Sequence, residues 1–433
     1  MGVHGRIRNR RWRYFALAAV KSGYFTADRL LHRLALGNLA LQKSLADIED
    51  HLHASCLEQI PVDRPVFVTS LPRAGTTLLL EVINKTGAFA SQTYRDMPFV
   101  LCPLLWDAIS RGLRRKVQAR ERAHGDGMMV GCDSVEAFEE VLWKAFWPQR
   151  YFPDRILTWS SHDRDPEFEQ AFTNHIRKVI AVRGGSSRRI LRYLSKNNAN
   201  ISRLRLLAEL FPDCTILVPF RNPADHAGSL ARQHANFLAR HAQDRFARTY
   251  MEWIGHYEFG QAFRPIAFLG EGTGAAAQPE CWLDYWDRAF RHILDNAPKQ
   301  VAFVDYDELC ASPGDVLRRI ADAIQMPHHR LLQQAQRLRT ANSHLTKRRE
   351  FAPVEASTRN PCAAARQSQA GRRGGGLERN SDDAFLREPF DCARRTAEQL
   401  VQHPHVGLAI AVCDAAGRRA YIGGAALNFI DNS

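Results

Sequence analysis

The stretch from Pro65 to Ile83 constrains what this chain can fold into more than any other. A short apolar run with β-branched residues, Pro65 to Thr69, is followed by Ser70 to Gly75 and then, from Thr76 onward, by leucines at helical spacing. That order predicts a buried strand, a tight loop and the start of a helix. The first N–H groups of a helix lack intrahelical partners and point outward, and the macrodipole adds partial positive charge at the same place. Gly75 lets the backbone approach an anion closely, Thr76 and Thr77 supply hydroxyl donors, and Arg73 supplies a permanent cation. The stretch therefore reads as an anion-binding loop.

It differs from the phosphate loop of nucleoside triphosphatases. Ser70 stands where that motif has its first glycine, and Thr76 where it has lysine, which disfavours an ordinary triphosphatase. A second element begins at Cys214. Cys214 to Phe220 reads as another buried strand, Arg221-Asn-Pro223 breaks it, and Ala224 to Ala242 continues as a helix with Ser229 near its start. Just upstream, Ile190 to Lys196 reads as a strand that ends in lysine. Ligands of open α/β sheets bind at the carboxyl ends of strands, so Lys196, Arg73 and Arg221 are expected to converge on one crevice.

Pro72, Arg73, Ala74, Gly75, Thr76 and Thr77 resemble, position by position, the 5′-phosphosulfate-binding loop of sulfotransferases, roughly Pro-Lys/Arg-Ser/Ala-Gly-Thr-Thr. Arg221 and Ser229, eight residues apart, resemble the family's arginine and serine that bind the 3′-phosphate of the donor. Val301 to Leu309, a strand and turn before a helix, resembles the family's closing unit. The resemblance spans roughly residues 62 to 330 and is to a branch similar to bacterial and tyrosylprotein-type sulfotransferases.

It implies an α/β, P-loop-like three-layer fold with a central parallel sheet flanked by helices. It also implies transfer of a sulfuryl group from 3′-phosphoadenosine 5′-phosphosulfate (PAPS), a co-substrate, to an acceptor hydroxyl on a small molecule, glycan or lipid, with no metal. In that reading Arg73, Ala74, Gly75, Thr76 and Thr77 bind the 5′-phosphosulfate, Lys196 stabilises charge on the transferring group, and Arg221 and Ser229 hold the 3′-phosphate.

An acceptor hydroxyl is a poor nucleophile until its proton is removed, so a base is needed. The family carries it in the segment after the first helix, as Glu in some branches and His in others. This sequence departs from both with Thr93-Tyr94-Arg95-Asp96, which makes Asp96 the expected base. Glu136 and His124 compete with it, although Asp133 and Glu136 also fit a capping-box pair at a helix start. Two other classes stay open: a nucleotide kinase, which would want a P-loop lysine and a magnesium-binding acid, and a non-catalytic nucleotide or polyanion binder.

The rest of the chain narrows the setting. With 433 residues, 45% of them hydrophobic, it can bury a sizeable core. The excess of 59 Lys and Arg over 46 Asp and Glu favours anionic ligands, with no specific nucleic-acid partner indicated. Nine cysteines without a Cys-x-x-Cys pair argue for reduced thiols in a cytoplasmic protein, and no H-E-x-x-H zinc motif is present. Residues 1–27 are rich in arginine and lack acids, and their apolar piece Tyr14 to Val20 is far shorter than the ~20 residues that span a bilayer. A targeting or membrane-surface role for them stays open, as does a homodimer.

Residues 1–60 form a basic segment followed by one or two amphipathic helices, with a break at Gly37. Residues 61–350 are the sulfotransferase-like domain, 351–383 a flexible linker, and 384–433 a C-terminal segment with a helix and a hairpin but no assigned role. Within the domain, Trp106 to Ala123 is expected to form a basic helix, and the aromatic run Trp143 to Trp159 either a core or the wall of an acceptor pocket.

Overall fold

The computed structural model describes residues 26–111, 120–121, 129–130, 134–185, 191–268, 282–335, 392–400, 410–413, 419–422 and 428–429. The expectations for residues 1–25, His124, Asp133 and the linker 351–383 lie outside them.

Five parallel strands form the centre: β1 (Val66–Val68), β2 (Phe89–Ala90), β3 (Arg192–Lys196), β4 (Thr215–Phe220) and β5 (Val301–Asp305), in the order β2-β3-β1-β4-β5. Parallel strands are covered on both faces, so their sequences run apolar rather than alternating. Val66, Phe67 and Val68 accordingly have no exposed surface. Because successive side chains point to opposite faces, the strands feed two cores. Phe67, Tyr193, Ile216, Val218 and Phe303 enter the larger one, and Val66, Val68, Leu194, Leu217 and Val304 enter the smaller.

Helices α1 (Thr26–Leu36) and α2 (Leu39–Leu57) precede the sheet, separated at Gly37, with the Asn38 side chain capping α2 by accepting the Leu41 N–H. The smaller core is closed by α3 (Thr76–Asn84), through Leu79, Leu80 and Ile83, and by residues Val316, Leu317 and Ile320 of the helix Pro313–Ala323. On the opposite face lie α4 (Pro166–Gly184), α5 (Pro223–Gln243) and α6 (Trp282–Asn296), which contribute Phe168, Phe172, Ile176, Leu230, Trp286 and Phe290 to the larger core. The result is the three-layer α/β, P-loop-like architecture that the sequence implied. Trp143, Trp147 and Trp159 are buried in the larger core, where the Trp143 ring lies 4.5 Å from Phe168 and 5.7 Å from Phe172. A buried cluster of Lys178 with Glu49 at 3.2 Å and Asp50 at 2.7 Å ties α2 to α4.

Two local expectations are corrected. Within the basic helix expected from Trp106 to Ala123, a helix is described over Pro103–Ser110, whereas Arg120–Glu121 pairs as a strand with Met129–Val130. Nor does a helix start at Glu136. Val135 bridges Thr93, the Glu136 N–H donates to the Gln92 carbonyl at 3.1 Å, and the helix begins at Glu140.

Near the C-terminus, the helix at 392–400 packs Ala393, Ala397 and Leu400 into the larger core, and Thr396 donates its hydroxyl to Asp287 at 2.5 Å. The expected hairpin is present as Ile410–Cys413 against Arg419–Ile422, extended by Asn428–Phe429. Among the described residues, Cys56, Cys102, Cys214, Cys310 and Cys392 stand outside any disulfide, and no helix is long and apolar enough to cross a membrane.

His175 on α4 is buried with neither ring nitrogen hydrogen-bonded, and burial, with help from the Lys178 charge, pushes its imidazole down to about 3. The unfolded chain binds this proton near 6.5 and the folded chain does not, so the stability is complete above 6.5 and is lost as pH falls toward about 3. His175→Leu should therefore reduce the acid slope of unfolding free energy by about 1.4 kcal/mol per pH unit. Urea denaturation across that pH range measures it, and an unchanged slope would show that His175 does not stay neutral.

Candidate active site

The anion loop leaves β1 at Val68 and enters α3 at Thr76, so it lies at the carboxyl edge of the sheet. Two of its residues have positive φ: Arg73 at 72° and Gly75 at 98°. For arginine this conformation costs about 1–2 kcal/mol, the kind of local strain that persists only where the surroundings hold it. For Gly75 the requirement is also steric. A Cβ there would stand 2.3 Å from Cδ2 of Tyr306, the residue that follows β5.

The second cationic element meets this loop directly. β4 aligns Leu217 with Val68 and therefore runs three residues beyond β1, carrying Arg221 alongside the loop. The Arg221 guanidinium lies over the Tyr306 ring at 4.8 Å, its Nη1 donates to the Arg73 carbonyl at 3.3 Å, and its Nε is buried without a partner. From α5, Ser229 places its hydroxyl 3.4 Å from Arg73 Nε, which donates to it. Ser70, on the loop, likewise has a buried hydroxyl without a partner. Arg73, Gly75, Arg221 and Ser229 thus meet at one point although up to 156 positions separate them in sequence.

His226 holds the loop from below. Its Nε2 donates to the Pro72 carbonyl at 2.8 Å while its Nδ1 accepts from Trp286 Nε1 at 3.1 Å. This pairing requires the neutral ring with its proton on Nε2, and burial pushes the imidazole down to about 3, in agreement.

Lys196 ends β3 in register with Val68 and is buried. The turn after it is fixed by two buried carboxylates. Glu139 accepts from Ser195 at 2.5 Å and Asn200 at 2.8 Å, while Glu140 accepts from Asn197 at 2.7 Å and pairs with buried Arg203. Next in the chain, Asn198 accepts the Thr76 hydroxyl at 3.2 Å and donates to Glu258 at 3.1 Å. Ala74 is fully buried beneath the loop and offers only its backbone, and Thr77 is half-buried in the first turn of α3. A cleft open to solvent lies beside this turn. It is lined by Leu71 and Pro72 of the loop, Asn197 and Asn198 after β3, and Trp282 and Tyr285 of α6.

Two of the expected bases, Asp96 and Glu136, fall among the described residues. Asp96 closes a capping box on the short helix Tyr94–Asp96, accepting the Thr93 N–H at 2.8 Å, and forms an ion pair with Arg183. Burial raises its carboxyl above the ordinary range and Arg183 pulls it back. Asp96 thus caps the short helix and pairs with Arg183. Glu136 accepts from the Tyr94 hydroxyl at 2.8 Å and the Ala137 N–H at 2.9 Å.

Sequence reading missed His226, Tyr306, Asn198 and Glu258. Two signals were present: His226 lies three positions before Ser229, on the same side of α5, and Tyr306 follows the aspartate that ends β5.

Comparison with known proteins agrees with this geometry. The sulfotransferase family model matches residues 65–330. An uncharacterized protein of Aquifex aeolicus (strain VF5) is 23% identical over 269 residues, which make up 62% of this chain and 26% of that protein. This chain thus spans about a quarter of that relative's length. Among solved structures, sulfotransferase STF9 from Mycobacterium avium is 15% identical, covering 84% of this chain and 81% of that one with a TM-score of 0.38. Sulfotransferase STF1 from Mycobacterium tuberculosis H37Rv is 13% identical, covering 72% and 85% with a TM-score of 0.40.

Gly75→Ala is expected to destabilise the fold by about 2 kcal/mol or more, since the left-handed backbone and the Tyr306 ring both oppose a Cβ. Tyr306→Ala in the same chain should recover the steric part but not the conformational part. A double-mutant cycle by urea denaturation measures the coupling, and additive effects would show that the ring does not press on position 75.

Proposed function

The chain belongs to the sulfotransferase family, and from that premise we propose that it transfers a sulfuryl group from PAPS to an acceptor hydroxyl. The observation that carries the reading is the meeting of Arg73, Arg221 and Ser229 at the start of α3. Residues of the two elements that the family uses for its donor are within hydrogen-bond reach of one another. The loop also fits a donor with two anionic ends. Arg221 Nε and the Ser70 hydroxyl are buried donors with no partner among the described residues, and such groups are costly unless a ligand satisfies them.

In this reading PAPS supplies an activated sulfuryl group attached to a 5′-phosphate. Arg73, Thr76, Thr77 and the N–H groups of Ala74 and Gly75 hold the 5′-phosphosulfate, where the dipole of α3 adds to the attraction. Arg221 and Ser229 hold the 3′-phosphate, with the Arg221 guanidinium kept flat by Tyr306. Lys196, at the end of β3, places an ammonium where negative charge develops on the leaving phosphate. Acceptor hydroxyls enter from the cleft beside Asn198, whose walls include Leu71, Trp282 and Tyr285. Such walls suit a small molecule, or a glycan or lipid segment, with apolar surface to bury. We further propose the cytoplasm as its compartment, a reducing setting that suits the free, buried thiols of Cys102 and Cys214.

Calorimetric titration with 3′,5′-adenosine bisphosphate, compared with ATP plus magnesium, tests the donor assignment. Magnesium-independent binding of the bisphosphate in preference to ATP is expected, and the reverse preference would overturn it in favour of a kinase. Arg221→Ala should weaken the bisphosphate about ten- to a hundredfold, the loss of one charge-assisted contact of about 1.5–3 kcal/mol. Unchanged affinity would remove Arg221 from the 3′-phosphate site.

A further inference from the structure

Resting on the sulfuryl-transfer reading, we propose that Glu258 is the base that accepts the proton of the acceptor hydroxyl. Glu258 lines the cleft that opens beside the anion loop, in the segment that follows the helix Arg245–Ile254 and its left-handed Gly255 cap. Among the described residues lining that cleft it is the one carboxylate. The other ionisable groups there are committed elsewhere. His256 Nε2 lies 2.7 Å from the Ala137 carbonyl, Tyr285 accepts the Ile266 N–H at 3.1 Å, and the Arg264 guanidinium lies over the Tyr257 ring at 4.2 Å.

The position of Glu258 relative to the donor loop is fixed by a single side chain. Asn198 donates to Glu258 Oε1 through its Nδ2 and accepts the Thr76 hydroxyl through its Oδ1. The carboxylate is therefore two hydrogen bonds away from the first residue of α3, and Asn198 lies two positions beyond Lys196. A half-buried Glu258 faces the space an acceptor would occupy, whereas Asp96 and Glu136 form contacts of their own around Thr93 and Tyr94.

In the reaction Glu258 takes the proton from the acceptor O–H as that oxygen bonds to sulfur. The bond from sulfur to the 5′-phosphate oxygen breaks, and its electron pair stays on the phosphate. Glu258 is left as the carboxylic acid and returns its proton to solvent through the open cleft. Asn198 is the positioning residue, keeping Oε1 toward the loop and leaving Oε2 to the acceptor.

The test compares wild type, Glu258→Gln and Glu258→Asp in the full chain. Affinity for 3′,5′-adenosine bisphosphate is measured by calorimetry. Release of bisphosphate from PAPS is followed with a series of aliphatic alcohols and with p-nitrophenol, which ionises without help in mildly alkaline buffer. Glu258→Gln should bind the bisphosphate within twofold of wild type. It should lose at least about a hundredfold in turnover with the alcohols, lose less than about tenfold with p-nitrophenol, and lack the acidic limb of the pH–rate profile. Glu258→Asp should regain part of the alcohol rate.

Equal losses with both acceptor classes, or an unimpaired Glu258→Gln, would overturn the base role while leaving donor binding intact. A wild-type chain that binds bisphosphate but consumes PAPS with none of these acceptors would overturn it as well. No affinity of the wild type for bisphosphate would instead defeat the donor reading, and the base role with it.

Discussion

The active edge of this sheet depends on two adjacent buried carboxylates, Glu139 and Glu140. Charged groups are seldom taken out of water unless partners surround them, and here the partners are the residues that must be held still. Glu139 receives Ser195 and Asn200, and Glu140 receives Asn197, Arg203 and Tyr151. These groups flank Lys196 on both sides in sequence, so the turn after β3 has one low-energy shape. Arg203 in turn lies over the faces of Trp143 and Trp159 at 3.9 and 4.8 Å. The polar network is thereby joined to the aromatic core beneath it, and this edge of the sheet inherits the rigidity of that core.

How much of this was legible follows from the range of each signal. The strand, loop and helix around Gly75 are local, with propensity, hydrophobic run and helix start all falling within twenty residues. Structure and sequence agree there. Arg221 and Ser229 stand out through their resemblance to the family's arginine and serine eight residues apart, at a strand end and in the helix that follows. Their meeting with Arg73 is a long-range fact that only the sheet order creates.

The buried role of Glu139 and Glu140 was hidden for a different reason. They sit in an acidic run, Asp133 to Glu140, whose composition reads as a solvated helix start, and nothing local says that Arg203 will arrive from sixty positions away. Asp96 illustrates the same limit in reverse. Its place after β2 fits a base, but Arg183 comes to it from the end of α4, and Thr93 needs it as a cap. Local sequence marks the neighbourhood of these acids, and tertiary contacts choose their partners.

The contact between Gly75, Tyr306 and Arg221 also bears on how the family can diversify. One aromatic ring fills the space that a side chain at 75 would take and supplies the face on which the 221 guanidinium rests. Substitutions at these three positions are therefore not independent in descent. A lineage that shrinks the ring frees the glycine to drift but unseats the arginine, while one that keeps the arginine stays bound to both of the others. Across related sequences positions 75, 221 and 306 should change as a set.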